Sequence, residues 1–289
     1  EFEGEWEVKK VGEMATFSKG KGISKREIEE NGITECIRYG ELYTHYREVI
    51  NEIKSRTNVD KSALVLSEEN DVIIPASGET TIDIATASCV LKPGIALGGD
   101  LNIIKSKNDG VFLSYYLNSK KKMEIANLAQ GISVVHLYSS QLASLSLSLP
   151  TNQEQEKIST FLAKISERID CSIKIINDLK TLKIATAKKI FSGELRFKDD
   201  NGNDFPEWEV REVGEVFKIT RGNVLAMNLV SNQCNEKNTY PVYSSQTKNN
   251  GLAGYYTDFL FEDAITWTTD GANAGDVNYR SGKFYCANV

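Results

Sequence analysis

The feature that most constrains this chain is a ten-residue repeat. Residues 4–13 read GEWEVKKVGE and residues 206–215 read PEWEVREVGE. Seven of the ten positions are identical, at a constant offset of 202 residues. A match of this length indicates an internal duplication, and each copy marks one structural unit. We therefore predict two related folded units, which 289 residues can accommodate.

The similarity continues more weakly beyond the repeat. Residues 18–20 (SKG) correspond to residues 220–222 (TRG), and DVI at 71–73 before Gly78 resembles DAI at 263–265 before Gly271. Elsewhere the two copies differ. A shared framework with different inserted segments is expected of two recognition domains that read different targets. A duplication without such a division of labour is the alternative.

The first unit has a mixed pattern. Short apolar runs predict strands at residues 6–11, 72–74, 88–91, 101–104 and 145–149, the last with strict alternation. Residues 110–129 predict a helix that Gly131 ends. The unit is therefore predicted to be an α+β domain.

Residues 151–192 predict one long helix. Pro150 ends the preceding strand, Thr151 and Glu154 form a capping-box pattern, and Gly193 suits the left-handed position after the last turn. Alternating spacings of four and three residues indicate a coiled-coil seam, interrupted by polar Ser172, Lys183 and Thr186. Its apolar members are Ile158, Leu162, Ile165, Ile169, Ile176, Leu179 and Ile190. At about 1.5 Å per residue the helix is about 60 Å long, and we expect a partner helix on this seam.

Targeting and cysteine patterns place the chain in the cytoplasm. No run of about 18 apolar residues is present to span a membrane, and the acidic start lacks the features of a secretory signal. The five cysteines are widely spaced and form no C-x-x-C pair, which argues against a disulfide framework and a zinc site. We expect reduced thiols and a cytoplasmic location.

The combination of the E-W-E-V…V-G-E repeat, Pro150 with Glu154-Gln155 opening a long amphipathic helix, and Gly-rich turns resembles the specificity subunit of Type I restriction-modification systems. The resemblance covers essentially the whole chain. It implies an α+β protein with two target recognition domains, separated by a long spacer helix that forms a coiled coil.

The resemblance also implies a function. Each recognition domain would read one half of a split site on double-stranded DNA, and the chain itself would not be catalytic. Adenine methylation with S-adenosylmethionine would belong to two modification subunits, and ATP-dependent and Mg-dependent cleavage to restriction subunits. No cofactor is therefore expected in this chain.

The charge of the chain is unusual for a DNA-binding protein. The net charge is −6, and residues 1–150, 151–200 and 201–289 carry −4, +2 and −4. Because phosphate attraction dominates affinity for DNA, a local basic face or a basic partner is required.

Motifs for catalysis are not apparent. The two histidines, His45 and His136, lie outside any metal-binding or nucleophile pattern, and no phosphate-binding loop or adenine-methyltransferase motif occurs. A stand-alone nuclease or methyltransferase is therefore disfavoured, and no metal site is predicted.

Candidate DNA-contacting residues lie in loops that combine cations with small and amide side chains, because Arg and Lys suit guanine whereas Asn and Gln suit adenine. In the first unit they are Lys19, Lys21, Ser24, Lys25, Arg38 and Tyr39. In the second unit they are Arg221, Asn223, Ser244, Ser245, Gln246, Lys248, Asn249, Thr269 and Asn273. Residues 243–251 are expected at the place that residues 38–40 and Tyr43 occupy in the first unit. Each of these loops has a solvated turn as the alternative.

The predicted boundaries are a first recognition domain at 1–150, the spacer helix at 151–193, a linker at 194–205 and a second recognition domain at 206–289. The second domain stops before any counterpart of the 110–131 helical segment, so we expect it to be truncated or only partly represented, and a short segment to be missing before Glu1. A coiled-coil scaffold with duplicated protein-binding domains is the alternative function.

Overall fold

The computed structural model describes residues 5–272 and 274–288. Residues 1–4, the candidate residue Asn273 and the terminal Val289 lie outside the described residues. The chain divides into two units, Glu1–Arg196 and Phe197–Val289. Both contain strands and helices, and the long helix follows the body of the first unit, so the predicted α+β class is confirmed.

The first unit is built of short strands and mostly short helices that pack around two cores. Its strands are β1 (Glu7–Lys10), β2 (Ala15–Lys19), β3 (Thr34–Ile37), β4 (Val49–Ile50), β5 (Ser55–Thr57), β6 (Val65–Leu66), β7 (Asp71–Pro75), β8 (Ser77–Gly78), β9 (Ser88–Val90), β10 (Ala96–Leu97), β11 (Leu101–Ser106), β12 (Val135–His136) and β13 (Ser146–Leu149). Its helices are α1 (Val11–Met14), α2 (Glu41–Thr44), α3 (Thr81–Ile84), α4 (Gly110–Ser119), α5 (Lys122–Leu128), α6 (Ser139–Ala143) and α7 (Asn152–Phe191).

Two sheets form the body of this unit. One has the strand order β2-β11-β7-β9-β4 and the other the order β5-β3-β10-β6. Lys19 lies opposite Asn102, and Leu101 lies opposite Pro75. The ends of β2 and β7 and the start of β11 therefore share one end of the first sheet, which we call the loop end.

Strand β7 is buried on both faces, because alternate residues enter two different cores. Val72 and Ile74 pack with Phe112 and other residues of α4, whereas Ile73 packs with Leu97 and the second sheet. An uninterrupted apolar run is the pattern expected of a strand covered on both sides.

The predicted helix at 110–129 is wrong in one respect, because the chain forms two helices, α4 and α5. The break falls at Lys120 and Lys121, whose amides both hydrogen-bond to the carbonyl of Tyr116. The change of direction lets Ile125 and Ala126 enter the same core that α4 covers.

Helix α7 begins and ends where its capping residues predict. The Thr151 hydroxyl accepts a hydrogen bond from the Glu154 amide (3.4 Å), and Gly193 adopts a left-handed φ of 77°. The first turns pack against the first unit, whereas the side chains of residues 171–185 are exposed.

The repeat folds into the same single helical turn in both units. In α1 the Glu13 carboxylate accepts from the Lys10 amide (3.2 Å), and in α8 (Val213–Val216) the Glu215 carboxylate accepts from the Glu212 amide (3.2 Å). The conserved glutamate is therefore a helix cap. In the first unit Trp6 also packs on α4, with ring contacts to Phe112 and Tyr116.

The second unit contains a small sheet around its own core. The strands are β14 (Asn223–Val224), β15 (Tyr240–Tyr243), β16 (Leu252–Tyr256), β17 (Phe261–Trp267) and β18 (Val277–Asn288). They have the order β14-β18-β15-β16, and β17 forms a hairpin with β18. Leu225, Val242, Tyr285 and Ala287 form the buried core of this unit.

Candidate nucleic-acid interface

Backbone hydrogen bonds bring the candidate loops of the first unit together at the loop end. The amide of Gly20 donates to Leu101 (3.0 Å) and that of Lys21 to Leu97 (2.9 Å). The Gly98 amide donates to Ile37 (2.8 Å), the residue just before Arg38. Residues 19–26 and 38–40 therefore belong to one surface.

The glycine shared by the two copies is required by close backbone contact. A Cβ atom on Gly20 would lie 1.9 Å from the carbonyl oxygen of Gly98, and one on Gly222 would lie 2.3 Å from that of Cys286. Neither space admits a side chain. The SKG and TRG motifs therefore mark the same junction in both units.

Residues 19–26 present their cations to solvent on an anchored loop. Ile23 is buried against Cys36 and Ala96, although its φ is +60°. The Ser24 amide donates to the Glu27 carboxylate (2.6 Å), and this hydrogen bond lowers the pKa of Glu27. Lys19, Lys21, Ser24 and Lys25 are exposed around this anchor.

Arg38 is held at its base by a buried carboxylate. Glu41 is 4% exposed, accepts from the Arg38 amide (2.9 Å) and from the Ser55 hydroxyl, and lies 3.8 Å from Arg38 Nε. Among the described residues, no acceptor satisfies that buried Nε. Tyr39 is half-buried against the second core, so it contributes packing as well as surface.

A loop that the sequence analysis missed lies at the same end. The Leu137 amide donates to Ala76 (3.0 Å), and Asn102 Nδ2 donates to the Leu137 carbonyl (2.9 Å). Residues 131–134 form the tip of this loop, where Ile132 is fully exposed. The signal in the sequence is the apolar Ile132 directly after Gly131, whereas the helix pattern alone indicates only that a helix ends at Gly131.

The second unit presents residues 244–250 on a rigid loop between β15 and β16. The Ser244 amide donates to Gly251 (2.9 Å), and Asn249, Asn250 and Gly251 all have positive φ. Ser245, Gln246, Lys248 and Asn249 are exposed, whereas Ser244 is half-buried.

Arg280, which the sequence analysis did not identify, holds this loop. Its guanidinium lies 3.9 Å from the ring centre of Tyr243, donates to the Asn250 carbonyl (2.8 Å) and donates to the Thr266 hydroxyl (3.2 Å). A cation over an aromatic ring that also donates two hydrogen bonds is strongly restrained. Arg280 therefore shapes the loop rather than extending into solvent.

The strands before the candidate loops are equivalent in the two units. In the first unit β3 runs parallel to β10, with Ile37 opposite Leu97. In the second unit β15 runs parallel to β18, with Tyr243 opposite Cys286. Arg38 and Ser244 each follow this pair directly, so the structure places residues 38–40 and 244–246 at corresponding positions.

The remaining candidates of the second unit lie near this loop or on β14. Arg221 and Asn223 are exposed on either side of Gly222. Thr269 lies in the β17–β18 turn, where a Cβ on Gly271 would be 3.9 Å from the Ser245 carbonyl. The two loops of this unit are therefore neighbours.

The predicted seam residues of α7 have two different environments. Ile158 packs against the core of the first unit, and Leu162 is half-buried, as is Ile190 near the far end. The other members are exposed by 43% to 57% of their side-chain area, namely Ile165, Ile169, Ile176 and Leu179. They form an apolar stripe along the helix.

The described residues give no indication of a metal site, of a reactive buried thiol or of a membrane-spanning helix. No group of three or more His, Cys, Asp and Glu side chains there is arranged to hold a metal ion. Burial raises the pKa of the Cys36 thiol to about 11 and that of Cys89 to about 12, so both stay protonated at neutral pH. Across the same residues, no helix combines the length and apolar character needed to cross a bilayer.

Comparison with known proteins identifies a family. The model described as "Type I restriction modification DNA specificity domain" matches residues 3–181 and 206–289. A Mycoplasma pneumoniae protein named as a type I specificity subunit is 43% identical over 79 residues, which cover 27% of this chain and 41% of that protein. A second M. pneumoniae protein, also named as a type I specificity subunit, is 33% identical over 146 residues, which cover 50% of this chain and 54% of that protein. This chain thus spans about half, or less, of the length of these relatives.

A solved structure shares the fold. The crystal structure of the S subunit of a Type-I restriction-modification system from M. genitalium superimposes with a TM-score of 0.59 at 17% sequence identity. The superposition covers 98% of this chain and 70% of that one.

Proposed function

This chain belongs to the Type I restriction-modification DNA specificity domain family, and we propose that it is the non-catalytic subunit that selects a bipartite DNA site. Each unit reads one half of the site. One observation carries this proposal: the loops at 38–40 and 244–246 follow equivalent strand pairs but differ completely in side chains. Equal placement with different chemistry is what two half-sites of different sequence require.

The chemistry of each surface suits base edges in the major groove. Arg38, with Lys21 and Lys25 on the same surface, favours guanine and phosphate contacts. Asn249, and Gln246 with the N–H that does not donate to the Leu252 carbonyl, are matched to adenine. Ile132 adds an apolar tip that suits contact with a thymine methyl group.

Partner subunits supply the remaining activities in this proposal. Two modification subunits that hold S-adenosylmethionine and methylate adenine dock on the chain, together with restriction subunits that use ATP and Mg²⁺. The assembly works in the cytoplasm. The exposed stripe on α7 supports a helical docking surface, and the net charge of −6 supports a need for basic partners at the DNA backbone.

Selection from a random double-stranded DNA library tests the function. The chain is co-expressed with its modification subunit, and bound DNA is sequenced at one fixed salt concentration. We expect enrichment of two short half-sites separated by a fixed gap. A complex that forms without any sequence preference would instead support the protein-interaction scaffold, and a single uninterrupted site would contradict reading by two units.

A further inference from the structure

A network of side-chain hydrogen bonds joins the start of α7 to the start of α4. Gln155 is 1% exposed. Its Oε1 accepts from the Asp109 amide (3.1 Å), and its Nε2 donates to Asn108 Oδ1 (3.0 Å) and to the Pro150 carbonyl (2.9 Å). Both Oε1 and Nε2 of the buried Gln155 amide are therefore hydrogen-bonded at this junction.

The Asp109 side chain also links α4 to α7 at this junction. Its Oδ1 accepts from the Phe112 amide (2.8 Å) and so caps α4, while its Oδ2 accepts from the Ser159 hydroxyl (2.8 Å). Ser159 lies one turn after Gln155 on α7 and is also buried. One carboxylate thus caps α4 and also binds a side chain of α7.

The junction is anchored to the central strand of the sheet. Asn70, just before β7, accepts from the Gly110 amide (2.6 Å) and donates to the Asn108 carbonyl (2.9 Å). A Cβ atom on Gly110 would lie 2.6 Å from the Asn70 carbonyl oxygen, so the backbones are in direct contact. A rotation of α7 at Gln155 therefore has to break its contacts with residues 108 and 109, which Asn70 ties to the sheet through Asn108 and Gly110.

The contacts become more exposed further along α7. Tyr115 and Ser166 share a hydrogen bond (2.7 Å), and Arg47 pairs with Asp170 (2.9 Å) with both side chains about half exposed. Exposed ion pairs contribute little to rigidity. The buried amide and the capping carboxylate are thus the most buried polar determinants of the helix direction, beside the apolar packing of Ile158.

We propose that Gln155 and Asp109 are positioning residues that fix the direction in which α7 leaves the first unit, and thereby the spacing of the two half-sites. The first part stands on the geometry alone, and the second rests on the function proposed above. The lever is long. From Gln155 to Ile190 the helix extends about 52 Å, so a tilt of about 10° moves its end by about 9 Å, or two to three base pairs at about 3.4 Å each.

Distance measurement by pulsed electron paramagnetic resonance tests the positioning role without DNA. Spin labels are attached through ketone-bearing residues at exposed positions 30 and 180 of the full chain, which leaves the native cysteines in place. Wild type should give one narrow distance distribution. Gln155→Glu keeps the side-chain shape but replaces Nε2, which donates both hydrogen bonds, by an oxygen that faces the acceptors Asn108 Oδ1 and the Pro150 carbonyl. It should shift or broaden the distribution by about 6 Å, the displacement of a 10° tilt at position 180.

Matched variants make the result decisive. Gln153→Ala removes an exposed glutamine from the same helix turn and should leave the distribution unchanged, whereas Gln155→Ala should broaden it. Thermal unfolding checks that the variants are folded. If Gln155→Glu does not fold, Ser159→Ala, which removes a single hydrogen bond to Asp109, should broaden the distribution to a smaller extent. Unchanged distributions in the folded variants of Gln155, or in Ser159→Ala, would overturn the proposal.

Library selection with the modification subunit tests the consequence for spacing. The Gln155→Ala complex should enrich the same half-sites as wild type but with a wider range of gap lengths. The wild-type gap in this variant, despite a broadened label distance, would overturn the link to spacing. Failure of the wild-type complex to select any split site would instead reject the proposed function and leave the label distances as the test of the positioning role.

Discussion

Gly20 and Gly222 show how single residues maintain the common framework of the two units. Each lies where a strand backbone passes too closely for any side chain, and each is preceded by a cation, Lys19 or Arg221. The glycine is thus a steric requirement, whereas the neighbouring cation is free to take part in binding.

Replacing Gly20 by alanine should therefore destabilise the first unit. The added Cβ would lie 1.9 Å from the Gly98 carbonyl, and relieving this overlap has to separate two backbone segments. We expect a loss of at least about 2 kcal/mol in the free energy of unfolding, measured by chemical denaturation. Gly40→Ala is the control, since its φ is −67° and its new Cβ would be 3.4 Å from the Tyr43 hydroxyl. Equal stability of the two variants would show that the Gly20 loop is freely displaced.

Arg38 and Lys25 should differ in how they affect DNA binding. Arg38 is held by Glu41 at the loop end, which suits reading one base, whereas Lys25 is exposed on the anchored loop and suits phosphate. In the complex with the modification subunit, Arg38→Ala should cost about 1–3 kcal/mol on the selected site and relax one base position. Lys25→Ala should weaken binding to all sequences alike and reduce the salt slope by about one. Titrations at several salt concentrations distinguish these effects, and a uniform loss with Arg38→Ala would assign it to the backbone.

Residue chemistry was readable from sequence where the signal is local. A Gly-rich run with several cations, such as residues 19–26, indicates an exposed loop by itself. The structural roles of Arg280 and Glu41 depend on partners far away in sequence or on burial, such as Asn250 for Arg280 and Ser55 for Glu41. No short pattern contains that information.

At the scale of elements, α7 was predicted closely because its ends are set by neighbouring residues, Thr151 at the start and Gly193 after the end. The division between α4 and α5 was not predicted. Lys120 and Lys121 are good helix formers, and the break arises from burial of Ile125 and Ala126 in the core that α4 covers. Tertiary packing here overrides local propensity.

Helix length should determine the gap between half-sites. Inserting one heptad after Lys180, where the side chains are exposed, lengthens α7 by about 10 Å without disturbing the contacts around Gln155. The selected gap should grow by about three base pairs at about 3.4 Å each, with both half-sites unchanged, as read by library selection. A seven-residue Gly-Ser insertion at the same place is the control and should broaden the gap. Altered half-sites in the heptad variant would contradict a spacer that acts as a ruler.

For the molecule as a whole, the two units differ in how deeply the corresponding residues at their starts are buried. In the first unit Val11 is buried, and Phe17 packs against the same core. At the 202-residue offset, Val213 and Ile219 are 55% and 75% exposed. Within residues 197–272 and 274–288, no strand occupies the place that β13 has beside β1. The repeat therefore predicted equal starts for the two units but not equal packing, because packing depends on segments outside the repeat.

This difference should be measurable by hydrogen exchange of the intact chain. Alternate amides of the edge strand β2 (Ala15–Lys19) are paired with β11, whereas the counterparts of this strand at 217–221 belong to no strand and accompany exposed side chains. Because exchange requires a broken hydrogen bond, the paired amides within 15–19 should exchange at least about a hundredfold more slowly than the amides of 217–221. The β15–β18 pair at Val242 and Tyr285 serves as an internal control, since it is buried and should be protected within the second unit. Equal protection of the two counterpart segments would show that the second unit covers residues 217–221 in solution. Rapid exchange at Val242 as well would show instead that the whole second unit, rather than its opening segment, is weakly folded.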